Sequence, residues 1–149
     1  MFLAVTAIGV LVACVLIAMW IKRRRDRREL ELHSITPEAL HMLMASNMGL
    51  LLLDVRLPLD LLTDAEIIPG ATRIDPQAVV QNPSLIPAER DAVIYCTCPG
   101  DKTSLRVLQR TRAMGFTQIK FLKGGLSGWK AKGYPVMPYN KPFHLDTEA

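Results

Sequence analysis

The sequence predicts an α/β domain, a parallel sheet flanked by helices, preceded by a single transmembrane helix. Three observations predict it. Residues 1–21 carry no charged side chain, and about 20 apolar residues in a helix match the roughly 30 Å hydrocarbon core of a bilayer. Beyond residue 33, short apolar runs alternate with helix-like segments, the pattern of parallel strands joined by right-handed crossovers. Two of those runs end on polar groups, Asp54-Val55-Arg56 and Cys96-Thr97-Cys98, and ligands bind at the carboxyl ends of such strands.

Charge divides the chain in the same way. The 149 residues carry a formal net charge of +4, a pI near 9.1 and a mean hydropathy of +0.19. The run Lys22–Arg28 alone holds six of the 18 basic residues and one of the 14 acidic ones, leaving 12 basic against 13 acidic elsewhere. The basic pI is therefore local to the N-terminus and gives no reason to expect nucleic-acid binding. A hydrophobic content of 50% excludes a disordered chain, and three cysteines exclude a disulfide framework. The remaining residues, about 115, suffice for one small core.

Four segments follow: a transmembrane helix over 1–21, a basic juxtamembrane linker over 22–33, the α/β domain over 34–138 and a polar tail over 139–149. Trp20 suits the headgroup region, and the basic run after it suits the cytoplasmic side. The expected topology is a single pass of residues 2–21 through the inner (plasma) membrane, with the N-terminus outside and the domain cytoplasmic. A cleaved signal would want a basic start, which is missing. Leu11-Val12-Ala13-Cys14 resembles a lipobox, but apolar residues continue from Val15 to Ile21, where a lipoprotein turns polar. The linker is expected to be helical near the membrane.

Along the domain, Ser34-Ile35-Thr36-Pro37-Glu38 reads as a helix start, with Thr36 as cap, proline at the first position and an acidic first turn. That helix is expected to reach about Ser46 and end near Asn47–Gly49. Leu50–Val55, apolar but for Asp54, is a run suited to a buried strand. A short helix is expected over Leu59–Ala65, a turn at Pro69-Gly70 and a short strand over Ala71–Ile74. Residues 76–90, with Pro76, Pro83 and Pro87, read as mostly loop. Ala92–Cys96 is the clearest strand. A helix follows over Thr103–Met114, stopped by Gly115, then a strand over Gln118–Leu122. A last short helix over Leu126–Lys132 is stopped by Gly133 and Pro135.

Cys96 closes a strand, Thr97-Cys98-Pro99-Gly100-Asp101-Lys102 forms a loop, and a helix starts at Thr103 or Ser104. Backbone N–H groups of such a loop and helix start converge on an anion. A cysteine there has its thiolate stabilised, and the thiolate is the nucleophilic form. Lys102 adds positive charge; Asp101 opposes it if it points inward. A buried packing cysteine is the plain alternative. A Cys-x-Cys pair falls short of four zinc ligands, and His33, His41 and His144 are scattered and expected at the surface, so no metal or cofactor is implied.

Several separated motifs then match a known family in order and spacing. They are Ile35-Thr36-Pro37-Glu38-Ala39-Leu40, Leu52-Leu53-Asp54-Val55-Arg56, Ile68-Pro69-Gly70-Ala71 and Val93-Ile94-Tyr95-Cys96. Gly115-Phe116, Leu122–Trp129 and Gly133-Tyr134-Pro135-Val136 complete the set. Residues 34–138 resemble a single rhodanese domain. The resemblance implies a rhodanese-like parallel sheet flanked by helices, and sulfur transfer. A cysteine thiolate takes a sulfane sulfur from a donor such as thiosulfate, giving a persulfide held by loop N–H groups; a thiol or cyanide then removes it.

The resemblance also implies a cysteine with Gly, Arg and Ser three, five and six residues on. From Cys96 those places hold Pro99, Asp101 and Lys102, and Ser104 comes late. Either the loop is two residues longer with Cys96 as nucleophile, or Cys98 takes the role; Cys96 is favoured because it directly ends the strand. Thr97, Pro99, Gly100, Asp101, Lys102 and Thr103 are the expected substrate-binding residues, and Asp54 and Arg56 an ion pair bracing the loop. Lys102 lies where phosphatase-like relatives carry an arginine and lacks its bidentate fork. The position before Ile68, often histidine in the family, is Ile67. Expected partners are a small sulfur compound or a thiol acceptor protein, with no nucleic acid. A catalytically inactive binding or scaffold module at the membrane is the alternative, since Asp101 stands where a cation is expected. An oxidising Cys96/Cys98 redox pair is a third reading.

Overall fold

The computed structural model describes residues 2–47, 49–87, 89–97 and 102–140, with backbone alone at 2–5, 7 and 102–104. The chain divides into two compact units, 1–32 and 33–149.

The first unit is one helix, α1 (Phe2–Leu32). It continues without a break through the basic run. On it the Arg24 guanidinium lies 4.0 Å from the centre of the Trp20 ring, one turn away. The uncharged residues whose side chains are described in one run are 8–21, which span about 21 Å. Among the described residues no helix is long and apolar enough to cross a membrane. The rest of the expected span, 1–5 and 7, lies outside the described side chains.

The second unit contains a five-stranded sheet. Its strands are β1 (Ser34–Ile35), β2 (Leu51–Asp54), β4 (Thr72–Arg73), β5 (Ala92–Tyr95) and β6 (Ile119–Leu122), in the order β1-β6-β5-β2-β4. Every neighbouring pair is parallel. The middle of the sheet is set by register: Leu53 sits beside Ile94 and Asp54 beside Tyr95, while Ile94 faces Phe121 on its other side. All four residues of β5 are buried, which is why their pattern is a continuous apolar run without alternation.

The helices are α2 (Pro37–Ser46), α3 (Pro58–Thr63), α4 (Pro76–Gln81), α5 (Lys102–Ala113) and α6 (Gly125–Ala131). The start of α2 is as its sequence predicts: Pro37 opens it, and the Thr36 hydroxyl accepts from the Ala39 N–H at 3.2 Å. Leu40 and Trp129 are both buried in the core that packs against β5.

Two expectations are corrected. Residues 76–90 are not mostly loop: α4 occupies 76–81 and a 3₁₀ turn Pro83–Leu85. Pro76 and Pro83 start helices. Pro76 takes the first position of α4, and the Asp75 carboxylate accepts from the Gln77 N–H at 2.8 Å as cap. Val79 then supplies a buried apolar contact. The short helix after β2 ends at Thr63 instead of Ala65, because β3 (Glu66–Ile67) follows and pairs antiparallel with β7 (Met137–Pro138). Two-residue strands carry no periodicity, so their pairing is invisible until the partner arrives from 70 residues away.

Candidate active site

Parallel strands put all their carboxyl ends on one edge, and Cys96 lies there directly after β5. The residue is 5% exposed. Its carbonyl accepts from the Leu126 N–H, in the first turn of α6, at 3.0 Å. That approach depends on glycine. Gly124 and Gly125 have φ of 79° and 56°, a region L side chains avoid. A Cβ on Gly125 would meet the Cys96 carbonyl oxygen at 2.2 Å. Gly125, in the Gly-Gly pair expected as a turn, is therefore also the contact that seats the Cys96 backbone. The next residue, Thr97, presents its carbonyl to the Ser127 hydroxyl at a long 3.5 Å. Its own hydroxyl oxygen is buried without a hydrogen-bond partner among the described residues.

Of the remaining expected loop residues, Cys98, Pro99, Gly100 and Asp101 lie outside the described residues. Lys102 and Thr103 open α5, and their side chains lie outside the description as well.

Asp54 and Arg56 form the expected ion pair, and both are fully buried, with Arg56 Nη2 2.6 Å from Asp54 Oδ2. Arg56 Nε donates to both carboxylate oxygens at 3.0 Å. The Arg56 N–H caps Oδ1 at 3.0 Å. The segment this pair ties down is the link from α3 to β3: Arg56 Nη1 donates to the Asp64 carbonyl at 2.8 Å and Nη2 to the Glu66 carbonyl at 2.7 Å. Burial pulls the guanidinium down, but the hydrogen bonds and charge of Asp54 outweigh it and hold it above its ordinary value.

The pair reaches the cysteine through a residue sequence reasoning missed. The Tyr95 hydroxyl donates to Asp54 Oδ2 at 3.3 Å and accepts from the Ile68 N–H at 3.3 Å. Burial first, then the Asp54 charge, pushes its ionisation far above the ordinary tyrosine range. Its signal in the sequence was the one hydroxyl in an otherwise apolar strand, directly before Cys96. Arg73, at the end of β4, was also missed; its Nη2 donates to the Arg56 carbonyl at 3.3 Å.

Trp129 is a core residue as expected, its indole N–H donating to the Pro135 carbonyl at 2.8 Å. His41 is exposed and stacks on Tyr134, with ring centres 4.4 Å apart. His33 contacts the Arg112 side chain, and His144 lies outside the described residues. No cluster of three or more His, Cys, Asp or Glu that could hold a metal occurs among the described residues.

Known proteins resemble this arrangement. The chain is 28% identical over 105 residues to a sulfurtransferase from Allochromatium vinosum, covering 70% of this chain and 94% of that protein. A rhodanese-related protein from Thermoplasma volcanium superposes with a TM-score of 0.59 at 21% identity, covering 70% of this chain and 97% of that one. The rhodanese-like domain of an Anabaena protein gives 0.59 at 24%, covering 76% and 87%. The two structures share the fold. The family model described as the rhodanese-like domain matches residues 36–132. With well over half of its length matched by that model, the chain belongs to the rhodanese-like domain family.

Proposed function

We propose that this protein is a sulfurtransferase that carries sulfane sulfur on Cys96, and that residues 2–21 anchor it in the inner membrane with the domain in the cytoplasm. The carrying observation for sulfur transfer is Cys96 itself: a cysteine at the carboxyl end of the middle sheet region, its backbone seated by α6. The likeness to the Allochromatium vinosum sulfurtransferase supports the same activity.

In this reading the Cys96 thiolate attacks the outer sulfur of a donor. The new S–S bond forms as the donor's S–S bond breaks, and the donor leaves with the electron pair. An acceptor thiolate or cyanide then attacks the outer sulfur of the persulfide, and the electron pair returns to Cys96. The buried Asp54–Arg56–Tyr95 chain acts by holding the strand end that carries the cysteine.

Cyanolysis with thiosulfate, polysulfide and a persulfide donor tests this. Cys96→Ser is expected to lower turnover at least about a hundredfold, the scale for loss of a covalent nucleophile, and Cys98→Ser to lower it far less. A persulfide mass increment localised to Cys96 is the accompanying signature. No cysteine-dependent turnover with any donor overturns the proposal in favour of a non-catalytic binding module.

The anchor rests on the charge-free run 1–21, Trp20 at its end and the basic run after it. Protease added to intact spheroplasts is expected to spare the domain and to digest it after lysis. Digestion from outside overturns the cytoplasmic orientation.

A further inference from the structure

A cleft of about 420 Å³ opens between α4 and α5, lined by Leu57, Pro76, Gln77, Val80, Gln81 and Arg106. We propose that this cleft binds the sulfur acceptor, and that the acceptor is a small organic thiol carrying a carboxylate, held by Arg106. The inference rests on the sulfur-transfer reading above and adds the substrate class to it.

Position comes first. Leu57 lies three residues beyond the end of β2 and Pro76 three beyond the end of β4. Both are on the carboxyl edge of the sheet, the edge that carries Cys96. The Val55 N–H donates to the Tyr95 carbonyl at 3.0 Å, so Leu57 follows closely on the part of β2 that runs beside the cysteine. Arg106 is in the second turn of α5, the helix entered from the Cys96 strand. The cleft therefore opens on the sheet edge that carries Cys96.

Chemistry comes second. Leu57, Pro76 and Val80 form an apolar floor, and Leu57 is 39% exposed. Gln77 and Gln81, one turn apart on α4, offer amides. Arg106 is the sole ionised side chain among the described lining residues, and it makes no hydrogen bond or ion pair with any described residue. A guanidinium with no carboxylate partner among the described residues, beside an apolar floor, fits a short aliphatic chain ending in a carboxylate, which it can bind through two parallel N–H groups. The volume suits a small molecule.

The cleft is also held at a set width. Arg110, one turn beyond Arg106, donates from Nε to the Val80 carbonyl at 3.0 Å and ties α5 to α4. With the carboxylate on Arg106, the thiolate end of the acceptor attacks the outer sulfur of the Cys96 persulfide. The acceptor gains the new S–S bond, the Cys96 S–S bond breaks, and its electron pair stays on Cys96. The carboxylate takes no part in the bond changes.

The test uses the full chain in detergent solution with three acceptors: cyanide, 3-mercaptopropionate and the neutral 2-mercaptoethanol. Wild type is expected to prefer the carboxylated thiol, by KM, and Arg106→Gln to reduce that preference about tenfold, the scale of one lost charge-assisted hydrogen-bonded pair. Cyanide turnover without any preference between the thiols, or a preference unchanged in Arg106→Gln, overturns the cleft and leaves sulfur transfer standing. Absence of turnover with all three overturns sulfur transfer and the acceptor role with it. Ligand-observed NMR with the unreactive 3-(methylthio)propionate reads the cleft without turnover. Binding that is lost in Arg106→Gln supports the site, and no binding to wild type overturns it.

Discussion

Gly125→Ala is expected to destabilise the domain by about 2–5 kcal/mol and to abolish most sulfur transfer. The range combines about 1–2 kcal/mol for an L side chain in the left-handed region with about 1–3 kcal/mol for an overpacked contact. The contact is severe because the new Cβ would lie 2.2 Å from the Cys96 carbonyl oxygen, a backbone atom with no rotamer to escape into. Relief requires α6 to move away, which breaks the Leu126 N–H bond to Cys96 and shifts the candidate nucleophile. Gly133→Ala is the control. Gly133 has φ of 72° with nothing within 4 Å of an added Cβ, so it is expected to cost only the strain of the left-handed backbone, about 1–2 kcal/mol, and to keep activity. Urea unfolding and cyanolysis of both variants decide the matter. Equal behaviour of the two would show that the close approach to Cys96 carries no weight.

Asp54→Asn is expected to cost about 3–5 kcal/mol, because it leaves the Arg56 charge buried without its counter-charge. Against a total stability of about 5–15 kcal/mol for a domain of this kind, that loss leaves the fold marginal. The double variant Asp54→Leu/Arg56→Leu is expected to cost less than the two single losses together, since no lone charge remains. It does not become neutral, because the Asp64 and Glu66 carbonyls lose their donors. Denaturant unfolding of Asp54→Leu, Arg56→Leu and the double variant checks this, and strict additivity would contradict a coupled pair.

The same cluster has an alkaline signature. The folded state holds the Tyr95 hydroxyl protonated above its ordinary value of 10.0, burial being the larger cause. Its contribution is therefore complete below about pH 10 and lost as pH rises toward the folded value, since the unfolded chain ionises first. Stability measured across about pH 9 to 11 should fall less steeply in Tyr95→Phe than in the parent. Parallel slopes would count against the Tyr95 contribution.

Much of the fold was legible because it is locally encoded. The Thr36-Pro37-Glu38 start, the apolar β5 run and the glycine stops are each decided by neighbouring residues. The prolines at 76 and 83 misled the reading. A proline disfavours helix at the residue before it, yet suits the first helical position, and only Asp75 as cap and the burial of Val79 show which effect wins. The site was legible in part. Asp54, Arg56 and Cys96 stood at strand ends, where polar groups after apolar runs are conspicuous. Tyr95 and Arg73 did not stand out, because a tyrosine or arginine in a strand becomes a site residue only through what lies across from it.

By itself, the sequence determined the alternating order of elements, the cysteine that ends β5 and the concentration of positive charge after residue 21. These follow from composition and from patterns spanning a few residues. Tertiary structure decided which carbonyls Arg56 ties down, that Gly125 must be glycine because it meets Cys96 from far along the chain, and that α4 and α5 leave a cleft beside that edge. Each of these depends on contacts between segments far apart in the chain, whose distances are set only when the sheet has brought its strand ends together.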